Sequence, residues 1–283
     1  NAYPKSWLWS PVPLLLGAAL FFIVTGGKIL NPQNIDWLMA GDPAQHWLGW
    51  QFFRSSPLLQ WPLGANPEFG LELGSSVVFS DSIPLMAFIF KLLNPLLPEH
   101  FQYTGIWLLM CFCLQALFSW KLLELFTANK ILLVLGCLFF AMAPSFVWRM
   151  HAHFALSAHW LLIAGLYLYF SKPLSLGRWA ALLSVGVLIH AYLVAMLMAI
   201  ALTDLVQRRW LKQIGTAQAL GCAVGAFALV GLIMWTTGYF MVGGGVESYG
   251  FGVYRMNLFS AVDSDGQWST FLPAVKGIAG DYE

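Results

Sequence analysis

The sequence predicts an all-α fold, a polytopic helical membrane protein. Three observations carry that expectation. Of 283 residues, 59% are hydrophobic and 10% are charged, where a soluble domain has about 25% charged. Mean hydropathy is +0.70. Apolar runs of about 20 residues recur, the length a helix needs to cross hydrocarbon and about twice that of a barrel strand. With no low-complexity segment and no linker, residues 1–283 read as one transmembrane domain.

The apolar runs cover 10–30, 77–97, 101–126, 131–149, 154–171, 179–207 and 213–240, flanked by polar stretches at 31–76 and 241–283. The first run lacks a small-residue cleavage site after it and reads as a retained helix. The opening Asn1 and the closing "AGDYE" suggest the N-terminal part of a longer chain. Basic residues cluster at Lys5, Lys121/Lys130, Lys172/Arg178 and Arg208/Arg209/Lys212. Cytoplasmic placement of all four clusters requires an even number of crossings between neighbours. Run 77–97 then lies flat in the outer interface, because Asp81 at mid-bilayer would cost about 3 kcal/mol. Run 179–207 is short for two crossings, yet must hold two short or tilted helices turning near Ile189–Tyr192, unless it crosses once and one loop breaks the rule. The outcome is about seven transmembrane helices with a large first outer loop, 31–100, containing interfacial helices. The outer face also takes the turns at 149–154 and His190 and the loop 241–283. Of thirteen acidic residues only Glu124 and Asp204 fall elsewhere.

Four outer stretches hold the informative polar groups. "GDPAQHW" places Asp42 at an N-cap and Pro43 at the first helical position. Asp42 either caps an interfacial helix or acts as a general base beside His46. Asp36, one turn earlier, reads as a loop acid or a second carboxylate. "SSVVFSDSIPL" offers Asp81 either as a cap of the flat helix or as another acid at the same site. "APSFVWRMHAHFALSAHW" carries Arg149, His151, His153 and His159 on a tight turn. A phosphate site, a zinc site and an interfacial anchor all remain open there. In "GGGVESYGFGVYRMNLFS", Tyr249, Tyr254, Arg255 and Asn257 hold a sugar or phosphate, or serve as a linker with interfacial aromatics. No G-K-[ST] follows the glycines, so a P-loop is excluded.

The four cysteines, Cys111, Cys113, Cys137 and Cys222, all lie in apolar runs and read as packed thiols. The absence of intramembrane carboxylates other than Asp204 argues against ion-coupled transport. A net charge of +1 with no basic patch gives no reason to expect nucleic acid.

"AGDPAQHWLGWQFFR", "NPEFGLELGSSVVFSDSIPL" and "RMHAHFALSAHW" resemble a bacterial polytopic membrane-protein family with no assigned function. Over the architecture alone, the chain resembles GT-C superfamily glycosyltransferases. That class includes the oligosaccharyltransferase catalytic subunit, protein mannosyltransferases and aminoarabinose transferase. The resemblance implies a multi-pass protein of the bacterial inner membrane, active at the periplasmic face. It implies a polyprenyl-phosphate-sugar donor and a glycan or lipid acceptor, with membrane lipids as further partners. Carried onto this chain, Asp42 matches the first-loop catalytic acid, with His46 close enough to orient it. Asp81 matches a further polar position, and Arg149, in the second outer loop, matches substrate binding with His151, His153 and His190 nearby. Arg255, with Tyr254, supplies the second phosphate contact. Some relatives use a divalent cation held by a D-x-D-like pair or a second-loop acid. This chain has "GDPAQ" and histidines instead, so no metal ligand is assigned. A non-enzymatic flippase or export component for lipid-linked glycans is the alternative.

Overall fold

A computed structural model describes residues 11–70 and 74–241. Within them the chain is mostly helical. The β structure is one two-residue antiparallel pair, β1 (Ala65–Asn66) with β2 (Ser75–Ser76), in register Ala65 to Ser76 and Asn66 to Ser75. Ten α-helices run in chain order: α1 Val12–Thr25, α2 Asp42–Ser55, α3 Pro84–Leu92, α4 Thr104–Leu123, α5 Lys130–Ala141, α6 Pro144–Arg149, α7 Trp160–Phe170, α8 Leu176–Val187, α9 Ala191–Trp210 and α10 Thr216–Thr237.

Four apolar stretches are long enough to cross a membrane: α4, the α5–α6 stretch Lys130–Arg149, α9 and α10. The expected seven spans are therefore not all matched by length. Val12–Thr25, Ala155–Phe170 and Leu176–Val187 are apolar but shorter. The 14 residues of α1 extend about 21 Å, against about 30 Å of hydrocarbon. The reason is local: Gly26 at φ +66° closes α1, its N–H bonding Phe22 O at 2.9 Å. Pro144 likewise parts α6 from α5, because its ring cannot follow on from a helical turn. Run 179–207 is two helices, α8 and α9, separated at Leu188–His190. None of the most apolar window of α10 is buried in the protein. Leu220, Val224, Phe227 and Trp235 are exposed along it, a continuous surface suited to hydrocarbon.

The core runs through α1, α4, α7 and α9. Gly17 lets α1 lie on α4, since a Cβ there would stand 2.5 Å from Phe112 O. The first loop is fastened across one pole of the bundle. Trp47, Trp50 and Gln51 of α2 all donate to Phe101 O, at 3.2, 3.2 and 3.1 Å. Leu85 N bonds Leu188 O at 2.6 Å, Ser76 Oγ bonds Thr237 O at 2.9 Å, and Tyr239 OH bonds Val187 O at 2.9 Å. The start of α9 and the ends of α8 and α10 thus meet the first loop. At the other pole Asp204 accepts from Arg208 Nε at 2.7 Å and Trp179 Nε1 at 2.9 Å, and Arg208 reaches Ser171 O.

Candidate functional site

The polar groups gather where α2 begins, at the pole fastened by the first loop. Asp42 is the first residue of α2, and Gly41, at φ +60°, precedes it as the cap. The N-cap position expected for Asp42 is thus occupied by Gly41, and the Asp42 side chain makes no capping bond. A carboxylate in the first turn still interacts favourably with the helix dipole. The Asp42 side chain is 58% exposed, with His153 Nε2 at 3.9 Å from Oδ2.

One turn along α2, His46 points inward. Its ring meets Phe154 edge-on, and its Nε2 lies 3.4 Å from Asp81 Oδ2. His46 therefore reaches Asp81, not Asp42. The other carboxylate oxygen, Oδ1, faces His190 Nε2 at 3.9 Å. His190 is fixed as the N-cap of α9, its Nδ1 accepting the N–H of Tyr192 at 3.1 Å. In the neutral ring that acceptance leaves the hydrogen on Nε2, aimed at Asp81.

Asp81 is held by its turn and does not cap α3. The cap position belongs to Ile83, with no side-chain bond. Asp81 and Ile83 both sit at φ +51°, a conformation costly for a β-branched residue and sustained only by its surroundings. The fastening is visible. Ser80 Oγ and Ser82 Oγ lie 2.8 Å apart, Ser82 Oγ donates to His46 O at 2.6 Å, and Tyr103 OH donates to Ser82 O. Gly49 admits this turn against α2, since a Cβ there would stand 2.4 Å from Ser80 Oγ and 2.6 Å from Ser82 Oγ. Asn66 Nδ2 ties Gly49 O at 2.9 Å.

Burial sets the electrostatics. It pushes the Asp81 carboxyl up to about 7, and the charge of Asp42 adds to the shift. Burial, and then His153, pulls His46 down to about 4, while Asp42 opposes. Burial, then His153 and Arg149, takes His190 to about 4. Tyr239 is raised by burial and then by the charge of Asp81.

Asp42, His46, Asp81, His153 and His190 thus come together. Arg149, the last residue of α6, is exposed, and its guanidinium has no ion-pair or hydrogen-bond partner among the described residues. His151 is exposed and turns back on Trp148, Nδ1 to O at 3.3 Å. His159 precedes α7 and packs on Phe146. Tyr254 and Arg255, with Tyr249 and Asn257, lie outside the described residues. No group of three or more His, Cys, Asp or Glu side chains among the described residues has a metal-holding arrangement. Tyr103, Ser82 and Tyr239 were not visible as site residues in the sequence, where each sits in an apolar or small-residue context.

A family profile described as "Domain of unknown function (DUF6311)" matches residues 14–283. No curated protein and no solved structure matches the chain.

Proposed function

The chain belongs to the DUF6311 family, and we propose that it works as an integral-membrane glycosyltransferase of the GT-C type. In this reading all seven apolar segments cross the bacterial inner membrane, the three shorter ones with local thinning of the bilayer. The polar pole faces the periplasm. The donor is a polyprenyl-phosphate sugar and the acceptor a periplasmic or lipid-linked hydroxyl compound.

The observation that supports the reading is the presence at one pole of an exposed carboxylate, Asp42, and an exposed cation, Arg149, with no ion-pair or hydrogen-bond partner for its guanidinium among the described residues. Asp42 takes the proton of the acceptor hydroxyl. The acceptor oxygen bonds the anomeric carbon as the bond from that carbon to the phosphate oxygen breaks. The phosphate departs with the electron pair and is held by Arg149.

Purified protein in lipid, given a panel of polyprenyl-phosphate hexoses and membrane acceptors, tests the assignment. Asp42→Asn retains fold and donor binding but loses transfer by about 10²–10⁴-fold, the usual contribution of a general base. Arg149→Ala raises the donor KM by about tenfold or more, as expected for a lost charge-assisted bond. Undiminished transfer by Asp42→Asn rejects the role. An exposed Arg149, unpaired among the described residues, also suits a flippase that needs no base. For that activity Asp42→Asn is mild and Arg149→Ala severe in a lipid-translocation assay.

A further inference from the structure

Among the described residues the other buried charges, Lys91, Asp204 and Arg208, have structural explanations. Lys91 rests 3.8 Å over the Phe53 ring and donates to Ser56 Oγ at 2.7 Å. Arg208 is answered by Asp204 and Ser171. Asp81 is different. Its side chain is 16% exposed, it pairs with no Lys or Arg among the described residues, and its neighbours are imidazoles. A buried carboxylate is ordinarily matched by a cation.

We propose that Asp81 is the proton-bearing acid of this cluster near neutral pH, a positioning residue whose ionisation acts as a charge switch on anion binding at the pole. Protonated, it leaves Asp42 as the one carboxylate charge within the cluster. Ionised, it adds a second and opposes an anionic ligand. The protonation rests on the burial of Asp81 among imidazoles with no paired Lys or Arg among the described residues. The consequence for a lipid phosphate rests on the glycosyltransferase reading.

Around Asp81, helix α2 supplies His46 and Asp42, the turn before α9 supplies His190, and Tyr103 and Tyr239 approach from the start of α4 and the end of α10. Arg149 and His153 act on the imidazoles rather than on the carboxyl. None of these is a cation paired with Asp81. The Nε2–H of His190 faces Oδ1 in either charge state, because the bond from Tyr192 N–H fixes its tautomer. Oδ2 faces His46 Nε2 at 3.4 Å, so a proton on Oδ2 has a ring nitrogen to meet. Moving that proton to His46 would bury two charges, and the His46 Nδ1 would still lack an acceptor. The carboxyl is held in this setting, because its turn is fastened by Ser80, Ser82 and Tyr103. The shifts agree: the carboxyl is raised to about 7 and both imidazoles are lowered to about 4.

Infrared difference spectroscopy on the full chain in lipid reads the proton directly. The carbonyl band of a protonated acid is expected at pH 6, absent from Asp81→Asn and lost from the parent protein as pH rises through about 7. Removing the neighbouring charge in Asp42→Asn moves that midpoint to lower pH, which carries the test even if Asp81→Asn fails to accumulate. No such band at pH 6, or a midpoint that Asp42→Asn leaves unmoved, overturns the protonation. Binding of farnesyl phosphate reads the switch. Its affinity is expected to fall more between pH 6 and pH 8 in the parent than in Asp81→Asn, and equal pH dependence overturns the switch. A protein that shows the band and transfers no sugar refutes the glycosyltransferase and leaves Asp81 as assigned.

Discussion

At the scale of single residues, the turn carrying Asp81 depends on a missing side chain. Helix α2 presents Gly49 to Ser80 and Ser82, and a methyl there would overlap both hydroxyls at 2.4 and 2.6 Å. Neither serine is free to move. Each belongs to the bonded set that holds Asp81 and Ile83 at φ +51°. Gly49→Ala is therefore expected to cost about 1–3 kcal/mol, the usual range for overpacking, and to displace the Asp81 carboxyl from His46. The thermal midpoint in detergent checks this. Gly177→Ala in α8 is the control, because a Cβ there meets nothing within 4 Å and helix propensity favours alanine. Equal midpoints for the two variants would contradict the account. Asp42 and His46 could be read from the letters because Asp-Pro starting an amphipathic helix is a local signal. The link between His46 and Asp81 was not legible, since 35 positions separate them and a left-handed isoleucine leaves no mark in a sequence.

At the scale of elements, most helices announce themselves by apolar length, and their ends by Pro, Gly and Asn. Asn129 caps α5 through Ile131 N and Leu132 N, and Gly238 at φ +92° closes α10. Lengths were less legible. The run 131–149 reads as one continuous helix until Pro144 breaks it, and run 10–30 is trimmed by the left-handed Gly26 and Gly27. The pairing of α7, α8 and α9 at the far pole was also hidden, because Asp204 and Arg208 look like an ordinary exposed pair one turn apart. In the fold they are 1% and 6% exposed and bind Trp179 and Ser171. Asp204→Ala leaves a buried guanidinium unpaired and is expected to cost about 3–5 kcal/mol, whereas Asp204→Leu with Arg208→Met recovers most of it. Denaturation in detergent distinguishes the two. A single variant as stable as the double would show that the pair is not desolvated as described.

At the scale of the whole molecule, charge and geometry give the same division. Helices joined in sequence reverse direction at each turn, so the acids of the first loop, the turn at His153 and the turn at His190 collect at one pole. Lys121, Lys130, Lys172, Arg178, Arg208 and Arg209 fall at the helix ends of the opposite pole. A bias of basic residues toward one side, here with Arg54, Lys91 and Arg149 among the exceptions at the polar pole, is what fixes orientation during insertion. The sequence predicts this division from the parity of crossings, which does not depend on their lengths. Side-specific labelling of single cysteines tests it once the four native cysteines are replaced. Leu59, 90% exposed in the first loop, and Leu211, 56% exposed after α9, lie at opposite poles. A membrane-impermeant thiol reagent applied to cells with a permeabilised outer membrane is expected to modify Leu59→Cys and spare Leu211→Cys until the inner membrane is opened. Labelling of both from the same side would place an even number of crossings between them, where opposite poles require an odd number. The cluster around Asp42 and Asp81 would then stand together at one end of the bundle without a defined face of the membrane, and a periplasmic acceptor would lose its route to Asp42.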